Sequence, residues 1–328
     1  MLLLVFLLLI LKIILVKSDT NPNTISILDS IQPNEIALVQ FDSRAMDSYW
    51  LASANWNKYY CDHHGHKFFY YQAPKGKCYH SGNPKTPFKN EISNNQDRTR
   101  LADPWCKVKT MQQVTQDHPE IKLFIYMDSD AVVDSDYYDI SVLKFIKEIM
   151  IQKLDWNIEE KPIIFNQDGP SWWCSLITKL GYTMCLNAGT VMWYRDTASS
   201  SINTLNKWWD MAMDDYKGNP LKRKFRLSWP WEQDRQMYLY NISSNNIQIT
   251  SHPNQVFMPR KSNSRKIDDW CFSHLPGSGC FISHFCANSK SKQILAKKYT
   301  NKLKSLKGRT DDALDKTVYS FTIEQLRF

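Results

Sequence analysis

Two carboxylates one residue apart, Asp128 and Asp130, follow an apolar run, Leu123-Phe124-Ile125-Tyr126-Met127. Hard cations such as Mg²⁺ and Mn²⁺ take oxygen ligands, typically one or two carboxylates shared with substrate phosphates. Such an ion acts as a Lewis acid on a departing diphosphate. A bare Asp-x-Asp is also the signature of a capped turn, but its place at a strand end favours the ligand reading. His284 closes a second apolar run, Cys280-Phe281-Ile282-Ser283, and adds a nitrogen ligand that Mn²⁺ accepts. A third group, Trp229-Pro230-Trp231-Glu232-Gln233-Asp234, opens a helix with acid, amide and acid beside two indoles. Indole faces stack on pyranose rings, while Glu232 and Gln233 orient hydroxyls. An ordinary helix N-terminus favours the same acids. Cys61-Asp62-His63-His64-Gly65-His66 has zinc-ligand types, but crowds them into one helix end without the spaced pairs of a structural zinc site.

These groups need a frame. Residues 35–41 read as a buried strand ending at Asp42-Ser43-Arg44, and residues 46–64 as a helix stopped by Gly65. Residues 67–71 read as a strand, 73–104 as a long loop, and 105–118 as a helix. The Asp-rich turn follows the strand at 123–127, then a helix at 139–153 and a strand at 162–165 ending at Gln167-Asp168. A strand at 190–194, helices at 197–214 and 231–241, a strand at 247–249 and a basic helix at 289–306 complete the pattern. Strands alternating with helices predict an α/β fold, a mostly parallel sheet flanked by helices. Ligands bind such sheets beyond the carboxyl ends of the strands, where Asp42, Arg44, Asp128, Asp130, Gln167 and Asp168 fall.

Hydrophobic residues make up 43% of the 328-residue chain and aromatics 13%, enough to fill a core. Residues 1–16 are almost wholly apolar but shorter than the about 20 residues of a spanning helix. Residues 1–18 therefore read as a signal peptide, with a signal-anchor as the alternative, and both deliver the chain to the secretory lumen. Residues 19–34 read as a stem, 35–306 as the catalytic domain and 307–328 as a tail. Eight Cys fit an oxidising compartment, with Cys174/Cys185 and Cys271/Cys280 as short-loop candidates and the pairing itself left open by the sequence. Asn241-Ile242-Ser243 is a glycosylation sequon. The charge of +8, concentrated in the last third, reads as a solvated basic surface or one that attracts an anionic substrate or membrane. A nucleic-acid partner is disfavoured for a lumenal chain.

Six motifs in order carry a family resemblance. They are Asn57-Lys58-Tyr59-Tyr60-Cys61 with His64-Gly65, Pro104-Trp105-Cys106-Lys107-Val108, Tyr126 to Ala131, Leu186-Asn187-Ala188-Gly189-Thr190, Glu232-Gln233-Asp234, and Phe281 to Phe285. Together, over about Ile36 to Lys290, they resemble the GT-A-fold galactosyl-, mannosyl- and xylosyltransferases of the Golgi, including fungal α-galactosyl and α-mannosyl enzymes and plant xyloglucan xylosyltransferases. The resemblance implies a GT-A (Rossmann-like) fold and transfer of a hexose or pentose, with retention, from a UDP- or GDP-sugar to a glycan hydroxyl. It implies Mn²⁺ or Mg²⁺ on Asp128, Asp130 and His284. The donor site would comprise Asp42, Arg44, Trp105, Lys107, Ser129, Asn187, Gly189 and Lys290, with Glu232 and Gln233 beside the anomeric carbon. Where the family often has Gly-Cys-Lys after its histidine, this chain reads Phe285-Cys286-Ala287-Asn288-Ser289-Lys290, which displaces Lys290 by a residue. A Golgi-lumenal type II membrane protein, or a secreted one, is the expected form. The alternatives are a non-catalytic nucleotide-sugar or glycan-binding protein on the same fold, and a nucleotidyl- or phosphotransferase. The latter would want a glycine-rich phosphate loop, and the ten Gly form none.

Overall fold

The computed structural model describes residues 22–44, 50–80, 100–150, 156–167, 185–213, 231–250, 273–274, 280–285, 289–306 and 321–327. The chain starts with α1 (Pro22–Ser30), inside the expected stem. Ile25, Leu28 and Ile31 recur every three residues, and Leu28 and Ile31 are buried against the main body. The segment is therefore part of the globular unit, because its apolar residues share one helical face. Strand β1 (Ile36–Asp42) is buried along its whole length. Its side chains alternate, Ile36 and Leu38 into one core and Ala37, Val39 and Phe41 into the other, so both faces of the sheet are covered.

Helix α2 (Trp50–His64) ends where expected. Gly65 takes φ +71°, and the bonds His66 N–H to Cys61 O (2.8 Å) and Gly65 N–H to Asp62 O form a Schellman cap. Strand β2 (Lys67–Gln72) follows. The loop expected over 73–104 contains a short antiparallel pair, β3 (Cys78–Tyr79) with β4 (Arg100–Leu101). Cys78 is disulfide-bonded to Cys106 at the start of α3 (Cys106–Asp117). Neither short-loop pairing involves these two residues. Cys185 and Cys280 are each in a disulfide, and Cys174, Cys271 and Cys286 lie outside the described residues.

Strand β5 (Leu123–Asp128) turns through Ser129 and Asp130 into β6 (Ala131–Val133). The helix expected at 139–153 is a short α4 (Val142–Phe145), capped by Ser141, which continues as a π-turn to Met150. Strand β7 (Ile163–Gln167) precedes β8 (Leu186–Tyr194), which begins four residues before the expected Thr190. Asn187 and Gly189 thus lie within a strand, where pairing with β7 shifts register between Phe165 and Asn166. Helix α5 (Ser200–Asp210) has its first N–H groups held by Asp196, and α6 (Trp231–Ser243) is fixed to it by Trp208 Nε1 donating to Glu232 O (2.9 Å). Strands β9 (Ile247–Thr250), β10 (Ser273–His274) and β11 (Ile282–His284), helix α7 (Ser289–Leu306) and β12 (Ile323–Gln325) complete the described chain. The expected tail therefore contributes a strand, which extends the sheet beside β2.

The main sheet has the order β12-β2-β1-β5-β8-β7-β9, and every pairing is parallel except those of β8, which runs against both neighbours. A second sheet, β10-β11-β6, stands at its end. The chain moves from β1 outward to β2, then returns to β5 on the other side of β1. The carboxyl ends of β1 and β5 thus flank a switch point, the usual ligand crevice of such sheets. Among the described residues no helix is long and apolar enough to cross a membrane.

Candidate active site

Phe41 and Asp128 are register partners, which brings Asp42 and the Asp128–Asp130 turn to one sheet edge. The turn is pinned from beneath by buried amides and a hydroxyl. Gln40 Nε2 donates to Asp128 O (3.0 Å), Ala131 O (3.1 Å) and Ser53 Oγ (3.0 Å). From α2, Asn57 Nδ2 donates to Ala131 O and Asn57 Oδ1 accepts from Val133 N–H, both at 3.0 Å, and Trp56 Nε1 donates to Val133 O (2.7 Å). These bonds satisfy buried backbone groups that a sharp turn would orphan.

His284 arrives on β11, which runs antiparallel to β6 and sets His284 opposite Ala131. Phe285 N–H donates to Asp130 O (2.8 Å). His284 Nε2 is 3.2 Å from Asp130 Oδ1 and 3.8 Å from Asp128 Oδ2. Gly189 makes room for the ring: a Cβ there would lie 2.1 Å from His284 Cε1. Asn187 Oδ1 accepts from Gly189 N–H (2.8 Å), so the Asn-x-Gly segment shapes the strand against which the imidazole rests. Ligand atoms of Asp128, Asp130 and His284 all lie within 4.8 Å of one another, and among the described residues this is the one such group. Two hard carboxylates and one imidazole, held by independent strands beside a glycine cradle, fit a divalent cation such as Mn²⁺ or Mg²⁺.

Positive side chains surround the carboxylates. Lys107 Nζ lies 2.9 Å from both Asp128 Oδ1 and Glu232 Oε1. Lys292 Nζ lies 2.9 Å from Asp130 Oδ2, and Tyr126 OH donates to Asp128 Oδ1 (3.0 Å). Burial opposes charge at Asp130, but the hydrogen bond and charge of His284 and the charge of Lys292 outweigh it and hold its carboxyl well below the usual range. Burial likewise opposes a charged His284, yet Asp130 and then Asp128 raise its pKa. Lys107 is raised for the same reason, burial being outweighed by Asp128 and Glu232. At Glu232 burial wins over Lys107 and raises the carboxyl. Glu232 is 3% exposed, and among the described residues its Oε2 has no hydrogen-bond partner. A buried acceptor without a partner is costly, so Oε2 is suited to a ligand hydroxyl.

A cleft of about 210 Å³ opens between Phe41–Arg44, Asp103–Pro104, Lys107 and Tyr126–Asp130. Arg44 spans it: Nε donates to Asp42 Oδ1 (2.8 Å), and its terminal nitrogen bonds Ser129 Oγ (2.7 Å). Trp105 is fully buried beneath the cleft, and its indole N–H has no partner among the described residues. Gln233 donates to Leu186 O at the start of β8. Lys290 is exposed on the first turn of α7, away from these contacts, and the amine that reaches Asp130 is Lys292. The spacing 292, 295, 299, 303 would have placed Lys292 on the buried stripe of that helix. Gln40 and Ser53 were also missed: a buried glutamine in a strand has no local signature. Gln167 ends β7, while Asp168, Trp229 and Pro230 lie outside the described residues. Two of the three histidines of the Cys61–His66 run are directed to separate carbonyls, His64 to Tyr138 O (2.7 Å) and His66 to Pro33 O (2.9 Å), and His63 faces Asp139 at 4.0 Å. Cys61 is a fully buried thiol, raised by burial. Asn241 of the sequon is exposed.

No protein-family model matches the chain, and no curated protein sequence matches it. Among solved structures it is similar to a glycosyltransferase involved in the glycosylation of the major capsid of PBCV-1, at 13% identity over 81% of this chain and 98% of that one, with a TM-score of 0.47. It is also similar to the galactosyltransferase LgtC in complex with donor and acceptor sugar analogs, at 13% identity over 82% and 95% of the two chains, with a TM-score of 0.40. At these TM-scores function rests on the site.

Proposed function

We propose that this chain is a metal-dependent, retaining glycosyltransferase of the GT-A class, moving a hexose or pentose from a UDP- or GDP-sugar to a glycan hydroxyl. The observation that carries the reading is the convergence of Asp128, Asp130 and His284 at the β1/β5 switch point, beside a cleft lined by Arg44 and Lys107. Asp128, Asp130 and His284 would hold Mn²⁺ or Mg²⁺, which when bound supplies Lewis-acid neutralisation of the diphosphate. Arg44, braced by Asp42 and Ser129, would hold the nucleoside end of the donor. Lys107 and Lys292 would exchange a carboxylate partner for diphosphate oxygens. Glu232 Oε2 would accept a hydroxyl of the donor sugar, with Gln233 beside the reacting centre. Transfer would form a bond from the acceptor oxygen to the anomeric carbon as the anomeric bond to diphosphate breaks, the acceptor hydroxyl proton passing to the departing diphosphate oxygen. A Golgi-type lumenal setting, with the N-terminal segment as anchor or cleaved signal, belongs to the same proposal.

The test is release of UDP or GDP from a panel of nucleotide sugars by the purified protein, with and without Mn²⁺. Metal-dependent release, slowed far more by Glu232→Gln than donor binding is weakened, supports the reading. Donor binding without release, across hexose and pentose donors and glycan acceptors, would sink it in favour of a binding protein.

A further inference from the structure

Helix α7 carries six lysines and no acidic residue. Its inner stripe, Leu295, Tyr299 and Leu303, is buried against Trp56 of α2, Val132 and Phe285. The opposite stripe, at 290, 294, 297 and 301, is Lys-Ile-Lys-Asn, and each of these residues is exposed. Ile294 is 55% exposed, flanked along the helix by Lys290 and Lys297. Lys302 is exposed on the next turn. Lys290, Lys297 and Lys302 make no ion pair among the described residues, whereas Lys292 and Lys298 approach Asp130 and Asp134. Two cations without an ion pair among the described residues beside one exposed aliphatic side chain, and a third at the edge of the same face, are not what packing of this helix requires.

The placement of α7 adds a second observation. It packs on α2, and α2 covers the sheet face to which Ile36 and Leu38 point. Leu28 and Ile31, in and just after α1, are buried in that same core. The N-terminal helix and the lysine helix are therefore on one side of the sheet. The apolar residues 1–16, read above as a membrane-directed segment, precede α1 in the chain.

We infer that the outer face of α7, Lys290, Ile294 and Lys297 with Lys302 at its edge, is a docking surface for an anionic membrane. Ammonium groups on a rigid helix meet acidic lipid headgroups, and Ile294 enters the interfacial layer. Its inner face belongs to the protein core, so α7 docks without unfolding or leaving the body. Because the first turn of the same helix supplies Lys292 to Asp130, the docked surface lies next to the site. The inference is independent of the reaction the site performs but not of topology: acidic lipid is concentrated in the cytoplasmic leaflet, so docking there and the lumenal setting proposed above exclude one another. Each lysine near an anionic surface contributes about fivefold in binding, so three give about a hundredfold.

The experiment is flotation of the full chain with phosphatidylcholine vesicles, with and without phosphatidylserine. The readout is the ratio of the two affinities, because insertion of residues 1–16 would contribute to both. One variant is Lys290→Gln/Lys297→Gln/Lys302→Gln. A charge-matched control is Lys67→Gln/Lys75→Gln/Lys77→Gln, three exposed lysines away from α7. The expected result is preference for phosphatidylserine vesicles that collapses in the α7 variant, persists in the control, and disappears in about 1 M salt, where the screening length is about 3 Å. Equal loss in both variants would reduce the effect to net charge and overturn the docking surface. So would absence of any preference in the unmodified chain.

Discussion

Replacing Gly189 by alanine adds one methyl group, yet the structure gives it a specific victim. The new Cβ would stand 2.1 Å from His284 Cε1, 2.7 Å from His284 Nδ1 and 2.9 Å from Asn187 Oδ1. Carbon atoms in contact keep about 3.5 Å, so the imidazole must retreat by about 1.4 Å. His284 is 6% exposed and its backbone is paired to β6, so the ring has little space to leave without breaking its 3.2 Å contact to Asp130. Overpacking of this kind costs about 1–3 kcal/mol of stability. Metal sites tolerate ligand displacements of about 0.2 Å, so a shift several times larger removes one of three protein ligands. Mn²⁺ affinity should fall at least about 10–100-fold, the loss produced by disturbing ligand orientation alone. The assay is titration of Mn²⁺ into unmodified, Gly189→Ala, His284→Ala and double-variant protein, with chemical denaturation of each. In the His284→Ala background the added methyl meets no ring, so its stability cost should shrink to a fraction of that in the unmodified protein. Unchanged Mn²⁺ affinity in Gly189→Ala, or an equal cost in both backgrounds, would refute the cradle and with it the placement of His284.

Three other outcomes are expected. Burial is the main cause that lowers His66 to about 4, with the Pro33 carbonyl opposing and His64 adding to it, so the unfolded chain binds the extra proton first. Stability should therefore be fully present above the ordinary histidine value of about 6.5 and fall as pH drops toward 4, by up to about 3 kcal/mol, and denaturation across that window should show a shallower fall in His66→Asn. Deleting residues 22–31 exposes the cavity of Leu28 and Ile31 and should cost about 3–6 kcal/mol, measured by denaturant midpoint; a midpoint shift near zero would return the segment to a stem. Reducing the Cys78–Cys106 disulfide opens a loop of 28 residues' separation and should cost about 3.5 kcal/mol, with donor affinity falling as well because Cys106 adjoins Lys107; Cys78→Ser tests both by melting and nucleotide titration.

What was legible in the sequence is what local pattern encodes. The apolar run before Asp128 is a strand because both its faces are buried, and the stop at Gly65 follows from a left-handed cap. The long basic helix was legible from its 3–4 spacing. The rest depends on partners remote in sequence. The need for glycine at 189 is set by the ring of His284, and β8 begins at Leu186 because β7 pairs with it there. Ile323–Gln325 has no strand signal beyond its neighbour β2, whose unpaired edge accepts it. The Cys78–Cys106 bond crosses a long loop, so short spacing pointed elsewhere. Lys290 and Lys292 differ only in helical phase, and it is Leu295 and Tyr299 that choose which one turns toward Asp130.

On the proposed function, Asp128, Asp130 and His284 bind a metal together with a nucleoside diphosphate. The direct measurement is thermal stabilisation of the full chain by UDP and by GDP, with and without Mn²⁺, in the unmodified protein and in Asp130→Asn. A ligand that binds the native state stabilises it by about 2.7 kcal/mol at a hundred times its dissociation constant. The expected result is a shift, read against each protein's own unliganded melting point, that needs one nucleotide and Mn²⁺ together and is lost in Asp130→Asn, whose own melting point falls because His284 and Lys292 lose their anionic partner. A shift that survives in Asp130→Asn, or none with either nucleotide, would exclude joint binding of metal and nucleotide at these residues.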